Sequence, residues 1–302
     1  MSELYALVGT CRQAHHIMYW RRQHLEERLL LLSEVMAQER SKHPSMSLKK
    51  MYHRLQPDFI GRDAFIDYSM ENGFEPVFAF KKPQLTRSSD LLAYPNLLHG
   101  KKILDINQVW ASDITYFKVA GKWCYIVLIE DLCSRRIIGY CAAQNLFAQA
   151  NMMALNMAFQ TRGLSIFNRQ LIHHSDRGSQ YRSHEYTQAL NQAQIQISMA
   201  YSCFDNAYME STNGIIKNEY LKHRPIKSFE DLLRYLQQDV ALYNNERPHG
   251  SLRMKTPAEF ESYIFNIPIS QRTFLKIFTD KSKQHNLLIL QPDNQQLTFQ
   301  FP

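Results

Sequence analysis

The chain has 302 residues, 45% of them hydrophobic and 21% charged. That is enough for about two domains of roughly 150 residues and for a substantial core, which excludes disorder throughout. Lys and Arg number 35 against 28 Asp and Glu, a net charge of +7 that biases the chain toward polyanionic partners. No run reaches the ~18 apolar residues a membrane helix needs, and the first residues lack the charged start, apolar middle and small-residue site of a signal peptide. The expectation is a soluble cytoplasmic protein. Five cysteines are an odd number for a disulfide framework, no C-x-x-C occurs, and Cys11 beside His15 and His16 does not make two spaced ligand pairs. Reduced thiols and no structural zinc follow.

Residues 1 to 40 read as helix, with Gly9 permitting a turn between Leu4–Val8 and Cys11–Trp20, and with Leu25, Leu29, Leu32, Val35 and Met36 at helical spacing. Pro44 breaks that pattern. Ser47 to Leu55, Gly61, and Asp63 to Glu71 form a second helix, turn, helix unit that carries Lys49, Lys50, Arg54 and Arg62. Its basic face suits DNA, with Lys49 and Lys50 as candidate contacts; a helical appendage with solvated charges is the plainer alternative. The divisions expected are 1–44, then 45–98 including a linker through Lys81–Asp90, then a core over 99–262 and a tail over 263–302. Allowing for length, the front and the tail are more basic than the middle.

Beyond the linker the pattern changes. Val109 to Val119, Trp123 to Leu132 and Arg136 to Ala143 are β-rich and joined by hairpin-length turns, so they predict an antiparallel meander. Helix is expected over 147–162, strand over 170–175, helix over 183–194, strand over 196–201, then two long helices over 205–221 and 229–246. The order βββαβαβαα is mixed α/β, and each strand after the meander follows a helix, which makes that portion parallel. In the tail, Leu287–Gln291 and Leu297–Phe301 flank Pro292-Asp293-Asn294, a hairpin signal.

Three acidic residues stand out. Asp113 lies inside a β run, where a carboxylate is costly unless it is paired, placed at an edge or bound to a cation. Asp176 follows the strand Leu171–Ser175, and strand ends of α/β sheets are where sites collect. Glu210 sits on a helix opened by Asp205-Asn206, an N-cap candidate pair. Taken singly, each could be structural. Together, two aspartates from neighbouring strands and a glutamate from a helix can hold two divalent ions and work on a phosphodiester; hard carboxylate oxygens suit Mg²⁺ or Mn²⁺. His173-His174-Ser175-Asp176 is not a hydrolase triad, because contiguous strand residues alternate faces and no G-x-S-x-G elbow is present. Asp131, with weaker motif context than Asp113, reads as a strand-end or turn residue.

Residues 103 to 262 resemble the integrase core of DDE transposases, and most of all the OrfB transposase of the IS3 family of bacterial insertion sequences. The likeness rests on Trp110-Ala111-Ser112-Asp113-Ile114-Thr115-Tyr116, on His174-Ser175-Asp176-Arg177-Gly178-Ser179-Gln180-Tyr181, on Asp205-Asn206-Ala207-Tyr208-Met209-Glu210-Ser211, and on Tyr243-Asn244-Asn245-Glu246-Arg247-Pro248-His249, which Leu252, Thr256 and Pro257 extend. It implies an RNase H-like five-stranded mixed sheet flanked by helices, with a helix-turn-helix-like region before it and a small β extension after. It also implies two Mg²⁺ ions on Asp113, Asp176 and Glu210, cleavage at double-stranded element ends, and transfer of the 3′ hydroxyl to target DNA. The partners implied are a homo-oligomer on DNA and an upstream-frame OrfA, or an OrfAB fusion. The interval from Asp176 to Glu210 is slightly short for the family, a deficit that falls in Met199–Phe204.

Further candidates for DNA contact are Lys217, nearly two helical turns beyond Glu210, and Arg177, Tyr181 and Arg247. Lys217 is alternatively a solvated lysine, Tyr181 a core residue, and Arg247 with His249 a structural helix stop. Leu7–Ala14 and His43–Tyr52 with Gly61–Asp63 also resemble the front of OrfB. From other classes, a domesticated DNA-binding protein and a plain RNase H-like nuclease stay open.

Overall fold

The structure, a computed structural model, describes residues 11–77, 94–146, 148–163, 167, 170–200, 203–277 and 289–290. It divides into two compact units, residues 1–76 and 77–302.

In the first unit, Arg12–Lys42 is one continuous helix (α1), followed by Leu48–Leu55 (α2) and Arg62–Glu71 (α3). The turn expected at Gly9 lies outside the described residues. Leu32, Met36, Met46, Leu48, Met51 and Phe65 form one core, so residues on both sides of Pro44 pack together. Arg40 ties the unit closed by donating to the carbonyls of His43, Pro44, Met46 and Phe74. At Gly73 the chain turns with φ +76, a conformation glycine adopts freely. The basic face is partly neutralised from within: Arg54 pairs with Glu39 and Arg62 with Asp63, while Lys49 is exposed and Lys50 half-buried.

The second unit begins with a short strand, Lys102–Ile103 (β1), then the meander Val109–Val119 (β2), Lys122–Asp131 (β3) and Arg136–Ala143 (β4). Ala148–Arg162 (α4), Ile172–Ser175 (β5), His184–Gln192 (α5) and Gln196–Met199 (β6) follow. The sheet order is β4-β3-β2-β5-β6, antiparallel through the meander and parallel at β2–β5 and β5–β6. This is the RNase H-like arrangement.

The helix expected over 205–221 is broken into a 3₁₀ turn at Cys203–Asn206, an α-helix at Ala207–Ile215 (α6), a π turn at Ile216–Tyr220 and a 3₁₀ turn at Leu221–His223. Ile216, Tyr220 and Leu221 all reach the core through the widened segment. Phe229–Asn245 (α7) opens on a capping box of Ser228 and Asp231 and buries Leu232, Leu236, Val240 and Tyr243 at helical spacing. With α6 it covers one sheet face; α4 and α5 cover the other, packing on Trp110, Val127, Ile129 and Ile138. Burial on both faces explains why β3 reads as a nearly continuous apolar run. α4 lies so close that a Cβ at Gly139 would sit 2.1 Å from the Ala154 carbonyl oxygen.

Pro257–Phe265 (α8) runs past residue 262, where the sequence reading ends the core. Its start, Thr256-Pro257-Ala258-Glu259, has a capping box and Pro at the first turn, the signal that identifies it. Phe274–Lys276 (β7) pairs with β1, and Ile289–Leu290 (β8) pairs with β7. The expected tail hairpin otherwise lies outside the described residues. No helix among the described residues is long and apolar enough to cross a membrane.

Candidate active site

Strand β5 pairs with β2 only over Val109–Ala111, so β2 continues past the end of β5 with one edge open. Asp113 lies on that continuation and Asp176 directly follows the end of β5. Glu210 lies in the first turn of α6, which packs against β2. The end of the β2–β5 pair is thus where adjoining elements place a sheet carboxylate, a strand-end carboxylate and a helix carboxylate.

Burial and like charge combine at Asp113. Desolvation first, then the charge of Asp176, then that of Glu210, push the Asp113 carboxyl up to about 7, against hydrogen bonds from the Ile114 backbone and from Asn213. Asp176 is exposed at the surface; protein crowding on its inner side raises its carboxyl, and the Gly178 N–H, donating to Oδ1 at 2.9 Å, opposes that rise. Glu210 is exposed. Repulsion among three carboxylates is what a divalent cation relieves, and an all-oxygen, all-anionic donor set suits Mg²⁺ or Mn²⁺ rather than a soft metal.

The local fold fixes each group. Asn213, three residues beyond Glu210 on α6, donates its amide to Asp113 Oδ2 at 2.8 Å. The sequence reading missed it, although an i, i+3 step puts it on the same side of the helix as Glu210. Asn206, expected as an N-cap, makes no side-chain cap; its amide donates to the Ser112 carbonyl at 3.2 Å, pinning the start of α6 to β2.

The proposed DNA contacts divide. Tyr181 is 1% exposed and its hydroxyl lies 2.8 Å from Ser112 Oγ, which makes it a core residue under the site. Arg247 is 3% exposed and makes two 2.8 Å bonds to Glu219, so its charge is spent within the fold. Its neighbour Asn244 accepts from the Ile137 N–H and donates to the Ile137 carbonyl, closing the free edge of β4. Arg177 donates to the Ala200 carbonyl at 2.8 Å, and Lys217 is half-buried at the start of the π turn. The segment Met199–Phe204 lies partly outside the described residues.

The neighbouring candidates have structural roles. His173 and His174 are buried on opposite faces, 2.9 Å from Tyr186 Oη and 2.8 Å from Ser198 Oγ. Asp131 accepts from the Asn107, Cys133 and Ser134 backbone and pairs with Arg162, as a turn residue does.

Two integrase core domain models match the chain, over residues 105–202 and 191–257. The 31 kDa protein of insertion element IS600 from Shigella sonnei is 34% identical over 157 residues, 51% of this chain and 57% of the relative. Transposase InsF for insertion sequence IS3A from Escherichia coli K12 is 34% identical over 162 residues, 52% of this chain and 54% of its own. The chain therefore spans a little over half the length of these curated relatives. Among solved structures, the HTLV-2 integrase catalytic core is 19% identical with a TM-score of 0.43, covering 53% of this chain and 99% of that one. The chain belongs to the integrase core family, and over about half its length it is similar to these insertion-sequence proteins.

Proposed function

We propose that the chain is a divalent-metal-dependent DNA transposase. In this reading it cuts a phosphodiester at the ends of an insertion sequence and joins the freed 3′ hydroxyl to target DNA, with Asp113, Asp176 and Glu210 as catalytic and metal-holding residues. The observation that carries it is the placement of three carboxylates from β2, the end of β5 and α6 around the open edge of β2, with Asp113 under the charge of the other two. The donor set fits a pair of Mg²⁺ ions, with Mn²⁺ as the alternative. When bound, such cations supply Lewis acidity that activates an attacking oxygen and steadies a departing one.

The protein's part is positioning. Asn213 holds one oxygen of Asp113 and leaves its carboxylate aimed by a fixed amide. The Gly178 N–H does the same for Asp176. Asn206 anchors the helix that presents Glu210. Lys49, Lys50, Arg177 and Lys217 are proposed to meet phosphates, which makes binding sensitive to salt. A homo-oligomer on DNA, and an upstream-frame OrfA or OrfAB fusion product, complete the proposed assembly.

Nicking of supercoiled DNA in Mg²⁺ tests the assignment, with Asp176→Asn as the comparison. Loss of nicking in the variant with DNA binding retained is expected; equal nicking would remove the catalytic assignment. A strand-transfer assay with donor ends separates a transposase from a plain nuclease, and binding without either activity points to a domesticated DNA-binding protein.

A further inference from the structure

The β2–β3 hairpin carries an aromatic face with no role in the site described above. In its antiparallel register Tyr116 pairs with Tyr125 and Lys118 with Trp123, so all four side chains stand on one face. Tyr116 is 37% exposed and Trp123 49%. The ring of Tyr116 lies edge-on to both neighbours, with centroids 5.4 Å from Tyr125 and 6.5 Å from Trp123. The Lys118 ammonium lies 5.6 Å from the Trp123 ring centroid.

The hairpin's own charge beyond Asp113 has one sign. From Ile114 to Ile129 the hairpin holds two lysines, Lys118 and Lys122, and no carboxylate. In the next strand, Ala143 pairs with Tyr125 and borders a cleft of about 150 Å³ whose rim includes Gln144, Asn145 and Gln149. The face lies further along the strand that carries Asp113: Tyr116 is three residues on, about 10 Å along the strand, with its side chain on the other face of the sheet, and its phenol still lies in the field of Asp113 and Asp176.

Exposed rings with cationic neighbours and amide groups at the rim match the demands of an unpaired polynucleotide strand. Bases stack on aromatic faces regardless of sequence, lysines meet the backbone, and amides pair with base edges. Duplex DNA offers no base face to such a surface. We infer that Tyr116 and Trp123 form a stacking platform for unpaired nucleobases of the strand next to the bond that is cut. This rests on the DNA-cleavage reading, since only that reading brings a strand to Asp113 and Asp176.

The test measures binding of the full chain to a single-stranded oligonucleotide carrying 2-aminopurine, and to the same sequence as a duplex. Stacking on the platform should quench the probe. Trp123→Ala should weaken single-strand binding by about fivefold to 150-fold while leaving duplex binding and the circular-dichroism melt unchanged. Trp123→Phe should restore most of the loss. Equal single-strand affinity in wild type and Trp123→Ala would overturn the platform, as would a change from oligomer to monomer, which would give the face to a second copy. Asp176→Asn should lose nicking and keep the quenching. Full quenching together with undiminished nicking in that variant would remove the catalytic assignment alone, so the two readings fail separately.

Discussion

Asp113 is held in the fold at an electrostatic cost, and that cost is measurable. Its carboxyl rises from the ordinary 3.8 to about 7 in the folded chain, so between those pH values the folded state holds a proton that the unfolded chain has released. The cation-free protein is therefore favoured by this group below about pH 4 and loses that advantage as pH rises through 7. Asp113→Asn is expected to stabilise the cation-free protein at pH 8 by on the order of 2–4 kcal/mol in a denaturant titration, while abolishing nicking. Millimolar Mg²⁺ should raise the melting temperature of the wild type but not of this variant. Asn213 acts on the same carboxylate by holding Asp113 Oδ2. Asn213→Ala should lower nicking by about 10- to 100-fold and raise the Mg²⁺ concentration needed for half-maximal rate. An unchanged Mg²⁺ dependence would refute its positioning role.

At the scale of elements, close approach and edge closure decide what the sheet tolerates. Gly139 on β4 is required because α4 passes over it, with the Ala154 carbonyl 2.1 Å from where a Cβ would stand. Gly139→Ala is expected to cost about 3 kcal/mol or more, read as a lower urea midpoint with the slope retained. β4 is also an edge strand, and Asn244 on α7 satisfies both Ile137 backbone groups as a neighbouring strand would. The closing motif Tyr243–His249 thereby stabilises the core: Arg247 is turned to Glu219 and Tyr243 packs edge-on against His249, 4.8 Å between centroids. The meander was legible because its strands are β-rich and its turns are short. The broken helix over 203–223 was not, since a π turn leaves no distinctive local pattern.

Across the second unit, a buried ionic network links distant parts of the chain. Arg162 at the end of α4 pairs with Asp131 on β3 and with Glu261 on α8, and Glu261 also pairs with Arg136 on β4. Arg162→Met leaves the buried Asp131 carboxylate without its counter-ion, and a loss of about 3–5 kcal/mol is expected. The double variant with Asp131→Asn should recover part of it. The buried histidines set the acid limit of the same unit. Desolvation holds His173 at about 3 and His174 at about 4, below their ordinary 6.5, so the unfolded chain binds more protons under that value. Stability from these groups is complete above pH 6.5 and declines as pH falls toward 3–4, opposite in sign to Asp113. Acid unfolding followed by circular dichroism should move to lower pH in His173→Gln.

The sequence by itself determined the order of strands and helices and the three carboxylates worth following, because β-rich runs, helical periodicity and motif spacing are properties of short stretches of chain. Tyr116 illustrates the limit: it was visible only as the end of the Trp110–Tyr116 motif, not as part of an exposed face with Trp123. Tertiary structure alone turned Tyr181 and Arg247 inward, gave Asn206 and Asn213 their partners, and joined Lys102–Ile103 to Phe274–Lys276 across the length of the core. Those outcomes depend on which surfaces pack together. A side chain's local pattern says that it must be buried or paired, but the identity of its partner is set only when both faces of the sheet have been covered.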